Sequence, residues 1–488
     1  MQIITGYREK NAGTLITETV SHINSGCTMN QKNSVMICGF GVSGKAAARL
    51  AGYLGKHIVL VDENNSREMR DQAAEIKKQY PCEMELYFSW TPEITLPRCE
   101  TAVMSPGIRR GTPLFQTAEQ SAGKVISELE FAFSHITCPI AAITGTNGKT
   151  TTTELTTALL KASAIRAESA GNIGHALSDC AIEVLEQRVK YLVVEVSSFQ
   201  IDTISKFPEC PAAILNIASD HIDRHGGMDA YAATKFRIFA SSPEAPPETR
   251  IINSSLMDCK NRFLPPELPM TTFSATAPRA DFTLENGIIR FRGREILPFA
   301  ESRLKGVHNA ENIMAALALV RALLGEDAIF ASCVKEAIRA FQPDAHRMEV
   351  FLEKNGVRYI NDSKATNPHA VNAAVGTFAD GRNIILILGG LDKDMDFTEL
   401  EKSLPHIRQA FLIGQCKEKI HEAIARKVKC KMSSSLESAV KDACSIAEAG
   451  DCVMLSPATA SMDMFKNYAE RGNRFKEIVT ELLTPKEQ

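Results

Sequence analysis

The chain has 488 residues, 44% of them hydrophobic, and sets 55 Lys and Arg against 58 Asp and Glu for a formal charge of -3. That length fits about three domains at roughly 150 residues each, and the balanced charge, with no polybasic block, excludes a large nucleic-acid or membrane-surface footprint. The 13 cysteines are odd in number, scattered and never spaced C-x-x-C, which argues against a disulfide framework or a structural zinc site and for a reducing, cytoplasmic setting.

Residues 1–33 are polar, lack the apolar core of a signal peptide and precede the first convincing strand, so they are expected to form a mobile N-terminal extension. No apolar run approaches the roughly 18 residues of a membrane span. The stretch "VMICGFGVSGKAAARL" then reads as a strand, a glycine-rich turn and a helix. Its spacing Gly39-x-Gly41-x-x-Gly44, with Asp62 ending the apolar run "HIVLVD", outlines a dinucleotide site in which backbone meets a pyrophosphate and the acid meets a ribose hydroxyl. Close packing of a strand on a helix also demands glycine, so a purely structural reading stands beside it.

A second loop, "IAAITGTNGKT", sets Gly145, Thr146, Asn147, Gly148, Lys149, Thr150 and Thr151 between a strand and a helix. Backbone N–H groups, a lysine and a hydroxyl converge there, which is equipment for a nucleoside triphosphate and Mg²⁺. Ile143 stands where the strict P-loop pattern needs glycine, so this is a shortened variant. Glu195 ends the apolar strand "LVVE" and is a candidate magnesium ligand. The cluster "SDHIDRHGG" adds Asp220, His221, Asp223 and His225; the two histidines would share a helix face at a zinc-like spacing, without an H-E-x-x-H pattern or a third clear ligand.

Strand-like runs alternate with helical patterns almost throughout, the outline of an α/β chain whose parallel sheets are covered by helices. Six runs, "VMICGFGVSG", "IAAITGTNGKT", "LVVEVSSFQ", "AAILNIASDHIDRHGG", "IILILGGLDKD" and "CVMLSPATAS", end in polar or glycine-rich clusters. Ligands of open α/β sheets sit at the carboxyl ends of strands, so the chemistry is expected there. Seams at Cys138-Pro139 and Pro343 divide the chain into segments 34–136, 137–342 and 343–488.

Taken together, "GTNGKTTTTE", "GNIG", "EVSSFQ", "SDHIDRHG", "YAATKFRI", "GVHNAENIMAA", "HRME", "NDSKATN" and "SPATASMDMFKNYAERG" resemble the Mur ligase family, in that family's order, from about residue 34 to the C-terminus. The resemblance implies three domains: a Rossmann-like N-terminal domain for a UDP-sugar, a central P-loop ATPase domain and a Rossmann-like C-terminal domain for an incoming amino acid. The implied reaction is the ATP-dependent addition of D-glutamate to UDP-N-acetylmuramoyl-L-alanine, through an acyl phosphate and a tetrahedral intermediate, by a cytoplasmic monomer in peptidoglycan precursor synthesis. On this reading the first glycine turn faces a UDP diphosphate, with Gly41, Val42, Ser43, Gly44, Asp62, Ser105 and Gly107 around the UDP moiety and Asn172 near the muramoyl-peptide carboxylate.

Carried over in the same way, Lys149 is catalytic, Thr150 and Glu195 hold one Mg²⁺, and Glu195, His221 and Lys235 surround a second. Lys235 would act there as a carbamate, its neutral amine having taken up CO₂; a plain surface lysine is the alternative. Asn309 and Asn312 fall to the adenine, with helix capping as the alternative, and Arg347 and Asp362 complete the ATP site. D-Glutamate falls to Lys364, Thr366, Lys393, Ser461 and Tyr468, where a dicarboxylate needs donors and positive charge. Tyr468 departs from the phenylalanine usual in the family, and Ser461 could instead cap a helix starting near Met462. Another ligase of the superfamily, including folylpolyglutamate synthase, is the near rival; an NAD-dependent dehydrogenase and a non-catalytic nucleotide-binding regulator are the distant ones.

Overall fold

The computed structural model describes residues 33–205, 207–220, 222–239, 246–392 and 395–484. The expected extension therefore lies outside the described residues except for Asn33, whose side chain bonds the Gly55 carbonyl and Lys56, each at 3.3 Å.

The first sheet is built from β1 (Ser34–Cys38), β2 (His57–Asp62), β3 (Met84–Phe88), β4 (Cys99–Met104) and β5 (Ala122–Ser127), in the order β3-β2-β1-β4-β5. Every pairing in it is parallel. The innermost strand, SVMIC, is buried at every position, which is why it reads as an unbroken apolar run rather than an alternating one.

The second sheet has nine strands: β6 (Ile140–Thr144), β7 (Ala167–Gly171), β8 (Tyr191–Glu195), β9 (Ala212–Ile214), β10 (Arg250–Asn253), β11 (Thr271–Ser274), β12 (Phe282–Glu285), β13 (Ile288–Phe291) and β14 (Arg294–Pro298). Their order is β14-β13-β12-β11-β10-β9-β6-β8-β7. The parallel expectation fails at one edge, where β12, β13 and β14 form an antiparallel meander. Its first turn is Asn286-Gly287, with φ of +50° and +76°, the pair of left-handed residues that a two-residue hairpin of the right twist requires.

The third sheet holds β15 (Glu349–Lys354), β16 (Val357–Asn361), β17 (Ile384–Gly389), β18 (Ile407–Ile413), β19 (Cys430–Met432) and β20 (Cys452–Leu455) in the order β15-β16-β20-β17-β18-β19. Only the β15–β16 pairing is antiparallel. The strands β1, β6, β8, β9, β17 and β20 are the six runs that end in polar or glycine-rich clusters.

The three units are joined unequally. One apolar cluster runs from β1 and β2 through helices Val42–Tyr53, Glu128–Phe133 and Leu177–Leu185 to β6 and β8, so the first and second units share a core. Arg49 adds a two-pronged bond to Asp179 across that contact, both distances 2.7 Å. The apolar clusters of the third unit contain no residue before Met348. Side-chain bonds from Asn147 to Asn367 and His369 cross between that unit and the second. Among the described residues no helix is long and apolar enough to cross a membrane, and the described cysteines are free thiols.

Candidate active site

The phosphate loop leaves β6 at Thr144 and enters the helix Lys149–Ala162 through Gly145 (φ +154°) and Gly148 (φ +84°). A methyl group on Gly148 would come within 2.3 Å of Asn312 Oδ1, so only glycine lets the helix N-terminus approach so closely. The helix itself is rich in threonine, a modest helix former, and gains its stability by burial: Thr152, Thr153 and Thr156 are fully buried. Thr156 and Thr157 donate back to the carbonyls of Thr152 and Thr153 at 2.7 and 2.9 Å.

The segment after β9 holds the loop in shape. Asn216 accepts from the Asn147 N–H at 2.8 Å and donates to the Asn147 carbonyl at 3.0 Å, and the Thr146 hydroxyl exchanges bonds with Ala218. Asn216 was not among the expected site residues, although an asparagine two residues past the end of a buried parallel strand is the signal that marks it.

Lys149 Nζ donates to the carbonyls of Gly145 and Thr146 at 2.9 Å, and burial pulls its pKa down against Glu195 and Asp220. Lys235, at the end of helix Met228–Phe236, is 1% exposed, which removes the surface-lysine alternative. Its Nζ reaches the same Gly145 carbonyl at 3.0 Å and lies 4.6 Å from the Tyr231 ring centroid. Burial, then the neighbouring Lys149, pushes the Lys235 amine well below the ordinary lysine range.

Parallel register sets Glu195 of β8 opposite Ile143 of β6, at the edge where the loop begins. The Thr150 hydroxyl donates to Glu195 Oε2 at 2.8 Å and Asn172 Nδ2 to Oε1 at 2.9 Å. His221 lies outside the described residues. Among the described residues no three His, Cys, Asp or Glu side chains gather as a ready metal cluster.

Around the first glycine turn, Val42, Ser43 and Asn172 line one cavity and Gly39, Asp62 and Gly107 line another, with the start of helix Val42–Tyr53 between them. The three glycines do different jobs. Gly39 takes φ +86°; a methyl group on Gly44 would fall 1.8 Å from the Gly39 carbonyl oxygen; Gly41 faces open space. The close strand–helix packing is therefore reason enough for glycine at position 44. Asp62 accepts from the Phe40 N–H at 2.7 Å and from the Asn64 N–H at 2.8 Å, and the Ser105 hydroxyl donates to the Gly39 carbonyl at 2.8 Å. Both side chains fix the turn while standing at its rim.

A further cavity lies between the second and third units. Asn147, Gly148, Thr151, Asn309 and Asn312 line it from one side and Arg347, Asp362, Lys364 and His369 from the other. The capping alternative for the two asparagines fails: helix Val307–Leu324 is capped by Gly306, and Asn312 Nδ2 donates to Asn309 Oδ1 at 3.0 Å. Arg347 sits between His346 (φ +68°) and Met348 (φ +47°), both in the left-handed region that non-glycine residues avoid. Asp362 accepts from Ser456 Oγ at 2.7 Å and from the Met348 N–H at 3.1 Å, and burial lifts its carboxyl to about 7.

Of the residues expected to meet an amino acid, Lys364 lies over the Tyr468 ring, 3.7 Å from its centroid. Burial, with Arg347 adding repulsion, lowers its pKa to about 8. Thr366 is half-buried in the same loop, and Lys393 lies outside the described residues. No helix starts at Met462; the next one, Tyr468–Leu483, is capped by Asn467. The capping role expected as the alternative for Ser461 is thus absent, and its buried hydroxyl has no protein partner.

Arg471, fully buried, ties the strand ends together by donating to the hydroxyl and carbonyl of Ser363 and to the carbonyls of Thr459 and Ala460. The sequence reading missed it. Its signal is an arginine on the stripe that continues with the buried Phe475, Ile478 and Val479.

Comparison with known proteins sets this geometry in context. A family model described as "Mur ligase middle domain" matches residues 143–320, and one described as "Mur ligase, glutamate ligase domain" matches residues 346–459. A UDP-N-acetylmuramoylalanine--D-glutamate ligase of Geobacter metallireducens is 36% identical over 461 residues, covering 92% of this chain and 98% of that protein. The enzyme of the same name from Streptomyces avermitilis is 34% identical over 472 residues, covering 92% and 98%. Among solved structures, a pseudomurein peptide ligase type C from Methanothermus fervidus superposes with a TM-score of 0.57 at 17% identity, covering 92% of this chain and 100% of that one. The MurF ligase of Thermotoga maritima in complex with ADP gives 0.56 at 18% identity, covering 87% and 94%. These two structures share the fold.

Proposed function

The chain belongs to the Mur ligase family of ATP-dependent amide ligases, and on that premise we propose that it joins D-glutamate to UDP-N-acetylmuramoyl-L-alanine. ATP is converted to ADP and phosphate. Hydroxide is too poor a leaving group for an amine to displace from a carboxylate, so the γ-phosphoryl group passes first to the L-alanyl carboxylate. The amine of D-glutamate then attacks the acyl phosphate, and a tetrahedral intermediate expels phosphate.

The observation that carries this reading is the chain of contacts Asn172–Glu195–Thr150. It links the cavity beside the first glycine turn to the phosphate loop, so an acceptor carboxylate and a γ-phosphate can be brought to one place. Two anions must meet there. Lys149, at the mouth of the loop helix, supplies charge and the backbone N–H groups orient the phosphates.

Thr150 and Glu195 offer a hydroxyl and a carboxylate oxygen at 2.8 Å, hard donors that fit Mg²⁺. Glu195, His221 and a carbamylated Lys235 would hold a second ion. When bound by these residues, Mg²⁺ would supply positive charge to offset that of the transferring phosphoryl group. The Lys235 amine is suited to taking up CO₂ because burial and Lys149 favour its neutral form. Gly145, Thr146, Asn147, Gly148 and Thr151 surround the phosphates, Asn309 and Asn312 the base, and Arg347 and Asp362 approach from the third unit.

We assign the UDP-sugar to segment 34–136, with Gly41, Val42, Ser43, Asp62, Ser105 and Gly107 at its rim, ATP to 137–342 and the amino acid to 343–488. Lys364, Thr366, Lys393, Ser461 and Tyr468 supply the donors and charge that a dicarboxylate needs. The reaction is placed in the cytoplasm and the chain acts as a monomer. The test is phosphate release from ATP with UDP-N-acetylmuramoyl-L-alanine and D-glutamate, L-glutamate or no amino acid. Release only with D-glutamate, with a product heavier by one glutamyl residue, is expected. Release with L-glutamate, or without any amino acid, would overturn the substrate assignment.

A further inference from the structure

The cavity between the second and third units closes only when those units are docked, and their apolar cores are separate. What holds them together at the phosphate loop is a small polar cluster. Asn367 caps helix Pro368–Phe378 by accepting from the Ala370 N–H at 2.9 Å, which fixes the orientation of its amide. Its Nδ2 therefore faces the second unit, donating to Asn147 Oδ1 at 3.2 Å and to Asp220 Oδ2 at 3.3 Å. Asn147 Nδ2 returns a bond to Asn367 Oδ1 at 3.3 Å.

The orientation of the Asn147 amide follows from that exchange, and it settles the state of the next group. Asn147 Nδ2 lies 2.9 Å from His369 Nδ1. An amide nitrogen only donates, so Nδ1 must accept, which makes the imidazole neutral with its hydrogen on Nε2. Burial, then Lys402, keeps the His369 ring below its ordinary pKa, in agreement with that tautomer. Asn147 is itself a phosphate-loop residue, and Asn216 grips its backbone on both sides. Movement of the third unit is thus passed through one side chain to the loop between Gly145 and Gly148.

We propose that His369 is a positioning residue for the nucleotide: as the acceptor for Asn147 it docks the third unit on the phosphate loop and holds the ATP cavity closed. The proposal rests on the assignment of that cavity to ATP. His369 need not touch the reacting atoms; it acts through Asn147.

Two substitutions in the full chain separate the acceptor from the mere presence of a ring. H369N places an amide oxygen the same number of bonds from the backbone as Nδ1 and keeps the acceptor; H369F keeps the ring and loses it. ADP affinity, measured by titration calorimetry, should weaken about five- to tenfold in H369F, the worth of one hydrogen bond left unmade. In H369N it should stay within about twofold of the parent. In turnover, the KM for ATP should rise with H369F while kcat at saturating ATP and the KM for the UDP-linked substrate hold, the signature of lost nucleotide binding alone. H369A serves in place of H369F if the larger ring prevents folding.

Unchanged ADP affinity in H369F or H369A would overturn the proposal. So would an H369N chain as impaired as H369F, or equal rises in KM for every substrate. A parent chain that binds ADP but shows no release dependent on D-glutamate would overturn the substrate assignment and leave His369 in its role. Ligation by a parent chain whose H369F variant is indistinguishable from it would do the reverse.

Discussion

An alanine at position 44 would set its methyl carbon 1.8 Å from the Gly39 carbonyl oxygen and 3.3 Å from Ser105 Oγ, where ordinary contact begins near 3.4 Å. Neither side can yield by rotating a side chain, because the closer atom is backbone. Gly39 is tethered as well, its N–H donating to the Val61 carbonyl at 2.8 Å and its carbonyl accepting from Ser105 at 2.8 Å. The helix Val42–Tyr53 must therefore withdraw by about 1.6 Å, pulling Ala47, Ala48, Leu50 and Ala51 from the shared core. A gap of half to one ångström already forfeits a quarter to a half of the dispersion energy of facing atoms. Overpacked cores lose roughly 1–3 kcal/mol, and a displaced helix belongs at about 3 kcal/mol. The assay is urea unfolding followed by Trp90, the one tryptophan of the chain, buried in the first unit at 2% exposure. G41A is the control, since Gly41 has φ −79° and open space around its α-carbon; its stability should stay within about 0.5 kcal/mol. Affinity for the UDP-linked substrate should instead fall in G41A, if the diphosphate approaches that backbone. A G44A midpoint equal to the parent's would refute the packing argument.

Three other outcomes are expected. Lys364 is charged below about 8 and neutral above it, so the KM for D-glutamate should climb as pH rises through 8; K364R, permanently charged, should flatten that limb. Burial raises Glu128 to about 6 in the folded chain from the ordinary 4.5. The folded state then holds a proton that the unfolded state has lost, and stability falls as pH rises from 4.5 to 6, by about 2 kcal/mol. E128Q should abolish that fall and unfold later than the parent at pH 7.5, with little difference at pH 4.5, both read by denaturant midpoints. For Lys235, thorough removal of bicarbonate should lower the ligation rate and its return should restore it; indifference to bicarbonate, with no added mass on Lys235, would sink the carbamate.

Inner parallel strands are buried on both faces, so they leave continuous apolar runs that need no tertiary knowledge to find. That is why β1, β6, β8, β9, β17 and β20 were legible with their polar ends. The dipeptide Asn286-Gly287 is a hairpin signal present in the sequence, but the general expectation of parallel sheets made no use of it. Burial of a charged side chain is another matter. Nothing in "YAATKFRI" tells a lysine at the core from one in solvent, because helix Met228–Phe236 has no strong division of apolar and polar faces. Contacts such as Asn147 with His369, or Arg471 with Ser363, join residues more than a hundred positions apart and obey no period. Only the folded backbone brings them together.

The passage between the second and third units has a mechanical meaning. His346 and Met348 hold left-handed backbone on either side of Arg347, a conformation that costs non-glycine residues about 1–2 kcal/mol each. Their anchors all lie in the third unit: Asn361 Nδ2 bonds the His346 ring at 2.8 Å, the His346 N–H donates to Glu349, and the Met348 N–H donates to Asp362. The tension is contained on one side of the joint. The backbone that presents Arg347 is therefore wound and clamped by the third unit alone, and docking on the phosphate loop is not what sets it.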